Sequence, residues 1–438
     1  MGATSISPWL DEPSECAPPL QGMLDADVAV IGAGLSGLST AIALRAAGMK
    51  VAVLEAQYAG FGASGRNAGH LTPTIGKDLP TLTKLFGNER VRELVHLVDR
   101  AIRHVESTIA EHAIDCHYEP VGNVVAAVHP RQHPNLDRAA AAAAKYGVPG
   151  TLFEPDEMRR RGLPAHFTRG YFEPHGGILQ PGLYARGLRR VALERGAQLF
   201  EKTPVVRVEE TLPAIVHAPG GHVRARHVVL ATNAYTPSLG FLRSMVMPVH
   251  VQLFETEPLS DAQMRAVGWQ ERQGIYTAHE MLESYRLTKD NRIVGGAKLV
   301  RYGYRGKLLA DTDSGIARVL ETTFRHRFPE LRDLPIARHW GGPIAFALDF
   351  LPLLGRDGPH RNILHAVVYA GHGVALASYA GTMIADLLLG RDDGAGKALA
   401  TRWQVPLPPE PLRWLTVRAL TGIFSRIDQK ADGFDWYA

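Results

Sequence analysis

The sequence predicts a chain of mixed α/β (α+β) class. A parallel-stranded dinucleotide-binding domain is interleaved with a second domain built on a mostly antiparallel sheet. Three observations carry that expectation. Residues 27–55, DVAVIGAGLSGLSTAIALRAAGMKVAVLE, read as strand, glycine turn, helix and strand ending on an acid. Strand patterns that fit the same domain return at 197–209 and 223–230. Residues 247–257, 275–287 and 292–300 instead alternate as antiparallel strands do.

In the opening unit Val28, Ala29, Val30 and Ile31 form the apolar run of a strand buried on both faces. Gly32, Gly34 and Gly37 make the G-x-G-x-x-G turn: tight turn, close approach to a pyrophosphate, close helix–strand packing. Leu35 and Ser36 begin an Ala- and Leu-rich helix that stops at Gly48, and its first N–H groups favour phosphate. The strand 51–54 ends on Glu55, with Ala56 after it, where a carboxylate can accept hydrogen bonds from a ribose diol. A glycine turn that only packs would leave Glu55 unexplained.

Residues 1–25 contain several prolines and read as an irregular arm. A second glycine-rich stretch, Gly62 to His70, carries Ser64, Gly65, Arg66, Asn67, Ala68 and Gly69. It is too small and polar for core, and following the acidic strand end it suits a backbone lying flat against a ring system. Apolar spacing predicts a helix over 78–112, a strand over 118–128, an alanine-rich helix over 136–146 and a strand over 171–179. A helix over 183–195 comes next, with Pro181 suited to its start. The strand 197–209 bends at Pro204-Val205-Val206, and 223–230 runs into Ala231-Thr232-Asn233. Residues 313–328 are helical, 340–355 and 362–370 strand-like, and Gly371-His372-Gly373 turns into a helix over 374–389.

The tail opens on prolines and then spaces Trp414, Val417, Leu420, Phe424 and Ile427 as on a helix, with Arg413, Arg418 and Arg426 between them. Such a helix either lies on a membrane surface as a peripheral contact or docks on its own domain or a partner subunit; docking is the expectation. An oligomer is compatible with either. The patterns divide the chain into an N-terminal arm (1–25), a discontinuous nucleotide-binding domain (26–76, 170–245 and 336–396), a substrate domain (77–169 and 246–335) and the tail (397–438).

Forty-eight Lys and Arg against 44 Asp and Glu give a net charge of +4, and the Arg159-Arg160-Arg161 cluster lacks interleaved aromatics. Nucleic acid is therefore not an expected partner. Cys16 and Cys116 lie far apart, and the 19 histidines show no H-E-x-x-H or similar spacing, so neither a disulfide nor a metal is expected. The acidic N-terminus does not read as a signal peptide, and a cytoplasmic location is expected. Residues 363–389 are apolar but are interrupted by His365, His372, Asp386 and several glycines, which argues against a membrane span.

The ordered motifs GAGLSG with Glu55, GASGRNAGH, GGILQPG, ATNAY and LPLLG…YAGHGVALASYAG resemble those of the D-amino-acid-oxidase-like superfamily of FAD oxidoreductases. The GASGRN loop, the GHGVALA turn and the PPEPLR segment look most like its gamma-glutamylputrescine oxidase branch. The resemblance implies a Rossmann-type FAD domain with a substrate domain over the flavin's reactive face. It implies that Gly32, Gly34, Leu35, Ser36 and Gly37 hold the pyrophosphate and that Glu55 and Ala56 hold the AMP ribose. Val205 would lie near the adenine, and residues 64–70 with Ala231, Thr232 and Asn233 would also contact the cofactor. Gly342, Phe346, Gly371, His372, Gly373, Val374 and Ala375 would face the isoalloxazine. Relatives that bond flavin covalently use a cysteine near the place of Gly342; none stands there, so non-covalent FAD is expected.

The implied reaction is hydride transfer from the carbon bearing an amine to the flavin N5. The imine then hydrolyses to an aldehyde or oxo acid, and O2 is reduced to H2O2. An apolar pocket that disfavours ammonium is sufficient for this, so no strong base is required. Candidate catalytic residues are Lys298, whose Gly-Gly-Ala-Lys context resembles the lysine that promotes oxygen reaction, then Tyr276, Tyr285, Arg286 as a carboxylate clamp, and Trp340. The substrate is a small-molecule amine or amino acid. The alternatives are a dehydrogenase passing electrons to a quinone or carrier, an NAD(P)-dependent dehydrogenase, and a non-catalytic flavin-binding subunit.

Overall fold

The computed structural model describes residues 6–10, 15–391 and 395–437. One sheet runs, from edge to edge, Leu353–Asp357, Ile363–Val367, Gly221–Leu230, Gly22–Ile31, Val51–Leu54 and Gln198–Phe200. Ala214–Ala218 and Arg207–Glu209 extend it as antiparallel strands. Gly22–Ile31 pairs in parallel with both neighbours, and Ile31 stands opposite Leu54 and Leu230. Three strands thus finish level, and the residues just beyond them, Gly32, Glu55 and Ala231, gather at one edge of the sheet. That crevice beyond the carboxyl ends of parallel strands is where open α/β sheets bind ligands.

Period-two alternation sorts the core. Val28, Val30, Val51 and Val53 pack against the helices Leu35–Ala46, Leu79–Glu111 and Gly373–Leu389, while Ala29, Ile31, Ala52 and Leu54 face Ala214 and Val216. The helix Leu79–Glu111 breaks at Gly87, whose φ is +77°.

The second sheet runs Ile336–Phe346, Met247–Thr256, Ile293–Arg301, Ser284–Leu287, Gly274–Thr277, Asn123–Ala127, Arg169–Glu173 and Thr151–Phe153. Its pairs are antiparallel except Gly274–Thr277 with Asn123–Ala127. One face buries Phe254, Ile275, Tyr285 and Ile293 against Ile316, Leu320, Phe324 and Phe328. The other face looks toward the first sheet.

Sheet membership moves two of the expected boundaries. Arg169–Glu173 pairs with Asn123–Ala127, and Ile336–Phe346 pairs with Met247–Thr256, so both belong to the second sheet. Their alternation is equally compatible with either sheet, and only the pairing partner decides. The first strand begins at Gly22, inside the expected arm.

The tail helix, Leu412–Asp432, lies on its own chain. The Asp428 carboxylate accepts hydrogen bonds from the backbone N–H groups of Glu280 and Met281, each at 2.9 Å. Trp436 beyond it is fully buried. No helix among the described residues is long and apolar enough to cross a membrane.

Candidate cofactor and substrate cavity

A cavity of about 720 Å³ lies between the sheets, a volume typical of small-molecule sites. Its nucleotide end is built on the glycine turn. Gly32 sits at φ +101°, a region L-residues rarely adopt. A Cβ on Gly37 would stand 1.8 Å from the Gly32 carbonyl oxygen, so only glycine lets the helix approach the strand. The Ser64 Oγ accepts from the Leu35 N–H at 2.9 Å, joining the second glycine-rich loop to the helix start.

Glu55 accepts hydrogen bonds from the N–H groups of Ala33 (2.8 Å) and Gln57 (3.0 Å). Burial pushes its carboxyl above the ordinary range, and those N–H groups oppose the shift. A half-buried carboxylate with lone pairs left over, beside a turn that no side chain can enter, fits a ribose next to a pyrophosphate.

The loop 62–70 is held from behind. Trp340 Nε1 donates to the Arg66 carbonyl at 2.9 Å, Trp9 Nε1 to the Asn67 carbonyl at 3.0 Å, and Arg286 Nε to the Ala68 carbonyl. The Arg286 guanidinium also lies 5.0 Å over the Trp9 ring, and burial lowers its pKa to about 10. Three successive carbonyls are thus tied to side chains that do not line the cavity. Arg66 itself is spent on Asp311 at 2.6 Å and the Phe61 carbonyl at 2.9 Å.

At the substrate-domain side, Tyr276 packs 4.6 Å from the His70 ring. Asn123 Nδ2 donates to the Leu71 carbonyl, so its Oδ1 accepts from His70 Nδ1 at 3.1 Å. That leaves His70 Nε2 buried without a protein partner. Burial, then Arg286, pushes the His70 pKa down to about 3, so the ring is neutral with Nε2 an acceptor. His372 Nδ1 meets Thr74 Oγ1 at 2.7 Å, and burial lowers its pKa to about 4.

Of the residues expected at a cofactor, Gly32, Gly34, Leu35, Ser36, Glu55, Ala56, Ser64, Arg66, Asn67, Ala68, Gly69, His70, Val205, Ala231, Thr232, Asn233, Gly342, Phe346, Gly371, His372, Gly373 and Val374 line the cavity. Gly37, Gly65 and Ala375 stand one layer behind. The expected catalytic set divides differently. Tyr276 lines the cavity; Tyr285, Arg286, Trp340 and Lys298 do not. Trp340 and Arg286 brace the loop. Tyr285 points to the far face, where its hydroxyl donates to Glu283 at 2.9 Å.

Lys298 is also on the far face. Its Nζ pairs with Glu283 and lies 3.2 Å from Asp432, over the Trp436 ring at 4.0 Å. The cause is a register break. Gly296 opposes Leu253 but Val300 opposes Val251, and Gly296 and Ala297 have φ of +140° and +75°. The bulge presents Ala297 to the cavity and turns Lys298 away. His279, Glu283 and Asp432 lie close enough together to hold a metal ion. Arg327 and Lys298 already neutralise those carboxylates, so the donor set does not suit one.

Lys77, Tyr235, Phe350, Ala297 and four residues of the tail helix also line the cavity and were not anticipated. For the tail, the spacing of Val417, Leu420 and Phe424 already marked the face that turns inward.

A parallel sheet with a glycine turn and a terminal acid, facing an antiparallel sheet across one cavity, defines a dinucleotide-dependent enzyme with separate cofactor and substrate layers. Comparison with known proteins narrows this. Residues 27–387 match the family model DAO, FAD dependent oxidoreductase, and the chain belongs to that family; its cofactor is FAD. It is 32% identical over 377 residues to gamma-glutamylputrescine oxidoreductase of Escherichia coli (strain K12), covering 85% of each chain. It is 30% identical to a probable oxidoreductase OrdL of Haemophilus influenzae, covering 86% of each. Among solved structures, glycine oxidase from Geobacillus kaustophilus superposes with a TM-score of 0.73 at 20% identity, covering 87% of this chain and 100% of that one.

Proposed function

We propose that the chain oxidises a C–N bond of a small amine or amino acid, a gamma-glutamylated diamine being the preferred class, in the cytoplasm. The observation that carries this reading is the cavity itself, which runs from the Gly32–Glu55 nucleotide end to an apolar wall of Val249, Val251, Leu253, Ala297 and Ile344. When bound, FAD supplies the acceptor for the hydride leaving the carbon that bears nitrogen. The apolar wall withdraws water from the amine and so favours its neutral form, the form that can give up hydride. His70 Nε2, which has no protein partner, is the proposed acceptor for an amine N–H. Burial raises the Tyr276 pKa, so its hydroxyl stays protonated. The imine released hydrolyses to an aldehyde or oxo acid. Neither Cys16 nor Cys116 lines the cavity, which supports non-covalent FAD.

Anaerobic mixing with a panel of amines, followed in the flavin's visible absorbance, tests the reading. Bleaching by gamma-glutamylputrescine is the expected result; a yellow protein that no amine bleaches overturns it. O2 is proposed as the acceptor, giving H2O2. The withdrawal of Lys298 from the cavity favours a second acceptor reading, a quinone or carrier. Oxygen uptake during turnover, with peroxide formed in equal amount, decides for the oxidase.

A further inference from the structure

We propose that the tail helix is a wall of the substrate chamber and that, with Lys77 and Glu280 at its rim, it recognises the end of the substrate remote from the oxidised bond. The inference rests on the amine-oxidation reading and assigns a specificity determinant within that site. Val417, Leu420, Thr421 and Phe424 share one helix face and line the cavity. The helix lies beyond residue 387, where the family match ends, so this wall is an addition to the matched core.

Contacts place the wall beside Lys77 and Phe350. Lys77 Nζ lies 6.0 Å from the Phe424 ring and 4.7 Å from that of Phe350, and Phe350 packs 5.6 Å from Phe346. Thr74, three residues before Lys77, holds His372. Among the described residues no carboxylate pairs with Lys77. The other cavity-lining cation, Arg66, is engaged by Asp311. Glu280 also lines the cavity, and its N–H is bound by Asp428 of the tail helix. An apolar surface rimmed by one cation and one acid matches an alkyl spacer ending in an amino-acid head group, with carboxylate toward Lys77 and ammonium toward Glu280.

The wall is fixed, not loosely laid. Asp428 binds two backbone N–H groups, Asp432 joins the buried cluster of Lys298, Arg327 and His279, and Trp436 is buried beyond it. A helix anchored this way presents a constant surface to substrate, as discrimination between amines requires.

The test uses the full-length FAD-loaded enzyme with two probes sharing one amine arm: gamma-glutamylputrescine, which has the head group, and N-acetylputrescine, which lacks it. Wild type should prefer the first. Lys77→Met and Glu280→Gln should each raise its KM by about tenfold or more relative to that of N-acetylputrescine, the loss expected for a charge-assisted contact, and Phe424→Ala should raise it in the same direction by removing the ring beside Lys77. kcat should change far less, with FAD content and melting temperature retained. Should Phe424→Ala fail to fold, Phe424→Leu and the two rim variants carry the test. Variants that leave the ratio within about twofold, in an enzyme that amines do bleach, overturn the wall and spare the reaction. A wild type that amines bleach without preference for the head group also overturns it. A wild type that no amine bleaches overturns the reaction itself.

Discussion

Replacing Asp432 by alanine should release the end of the tail helix without unfolding either sheet. Its carboxylate meets Lys298 Nζ at 3.2 Å, His279 Nε2 at 2.9 Å, the Arg327 guanidinium, and Trp436 Nε1 at 2.6 Å. The Asp432, Lys298, His279 and Arg327 side chains are fully shielded from solvent. In Asp432→Ala, two buried cations would share the single carboxylate of Glu283. Breaking a buried pair by removing one partner costs about 3–5 kcal/mol, because the remaining charge is left uncompensated. Spent on the tail alone, that shifts its closed-to-open ratio by roughly 10²–10³ or more. Trp436 emission, and hydrogen exchange of residues 412–437, would report the opening. Removing both charges in Lys298→Met/Asp432→Ala should cost less than the two single changes added together. A tail in Asp432→Ala that stays as protected as wild type, or a double variant showing plain additivity, would refute the reasoning. The pH dependence has a definite sign. Burial alone would raise both carboxyls, but Arg327 and Lys298 hold Glu283 below its ordinary range, and His279, Arg327 and Lys298 do so for Asp432. Depressed acids lend stability that is fully present above the unfolded pKa and is lost as pH falls through the folded value. Acid should therefore loosen the tail.

Other outcomes rest on single residues. Gly37→Ala, with its Cβ 1.8 Å from the Gly32 oxygen, should yield protein that cannot retain FAD, read from the visible spectrum after desalting. Glu55→Gln should weaken FAD by about tenfold, losing a charge-assisted bond, by fluorescence titration. In wild type, FAD affinity should rise with pH through the raised Glu55 pKa, a slope absent from Glu55→Gln. Arg286→Met should cost FAD retention by freeing the Ala68 carbonyl, without a selective loss of carboxylate-bearing substrates. Burial pushes the Glu173 carboxyl up to about 7. An acid with a raised folded pKa costs stability as pH climbs from the unfolded to the folded value. Glu173→Gln should therefore stabilise by up to about 3 kcal/mol at pH 8 and by little at pH 5, by denaturant midpoint.

The nucleotide end was legible because its constraints are local in sequence. Gly32, Gly34, Gly37 and Glu55 sit within one βαβ unit, and spacing alone brings them together once Ile31, Leu54 and Leu230 are level. The loop 62–70 was legible as a cofactor loop for a related reason: small polar residues cannot be core. Its supports were not. Trp9, Arg286 and Trp340 come from three distant segments, and nothing in their own neighbourhoods says that each donates to a carbonyl of that loop.

Of the catalytic candidates, Tyr276 lines the cavity, while strand parity turns Tyr285 and Lys298 away from it. On the second sheet one face meets the cavity and the other meets the helix Ser314–Arg327, so a polar residue's role depends on which side it falls. Ser284 lines the cavity, and its neighbour Tyr285 therefore joins Phe328 in the core. Counting by twos from Val294, which packs with Trp9 and Trp340 toward the loop, would put Lys298 on the cavity face. Between Gly296, opposite Leu253, and Val300, opposite Val251, the strand carries two extra residues: Ala297 takes the cavity side, Lys298 falls on the opposite face, and Val300 is back on the cavity side. Gly-Gly-Ala-Lys carries the glycines that permit such a bulge, but glycines equally permit a flat strand, so the sequence leaves the parity open. The same parity gives Lys298 its observed work. On the far face it meets Glu283 of the second sheet and Asp432 of the tail. The residue expected to act on oxygen thus anchors the helix that walls the chamber, and substituting it should alter substrate discrimination through the tail before it alters the acceptor reaction.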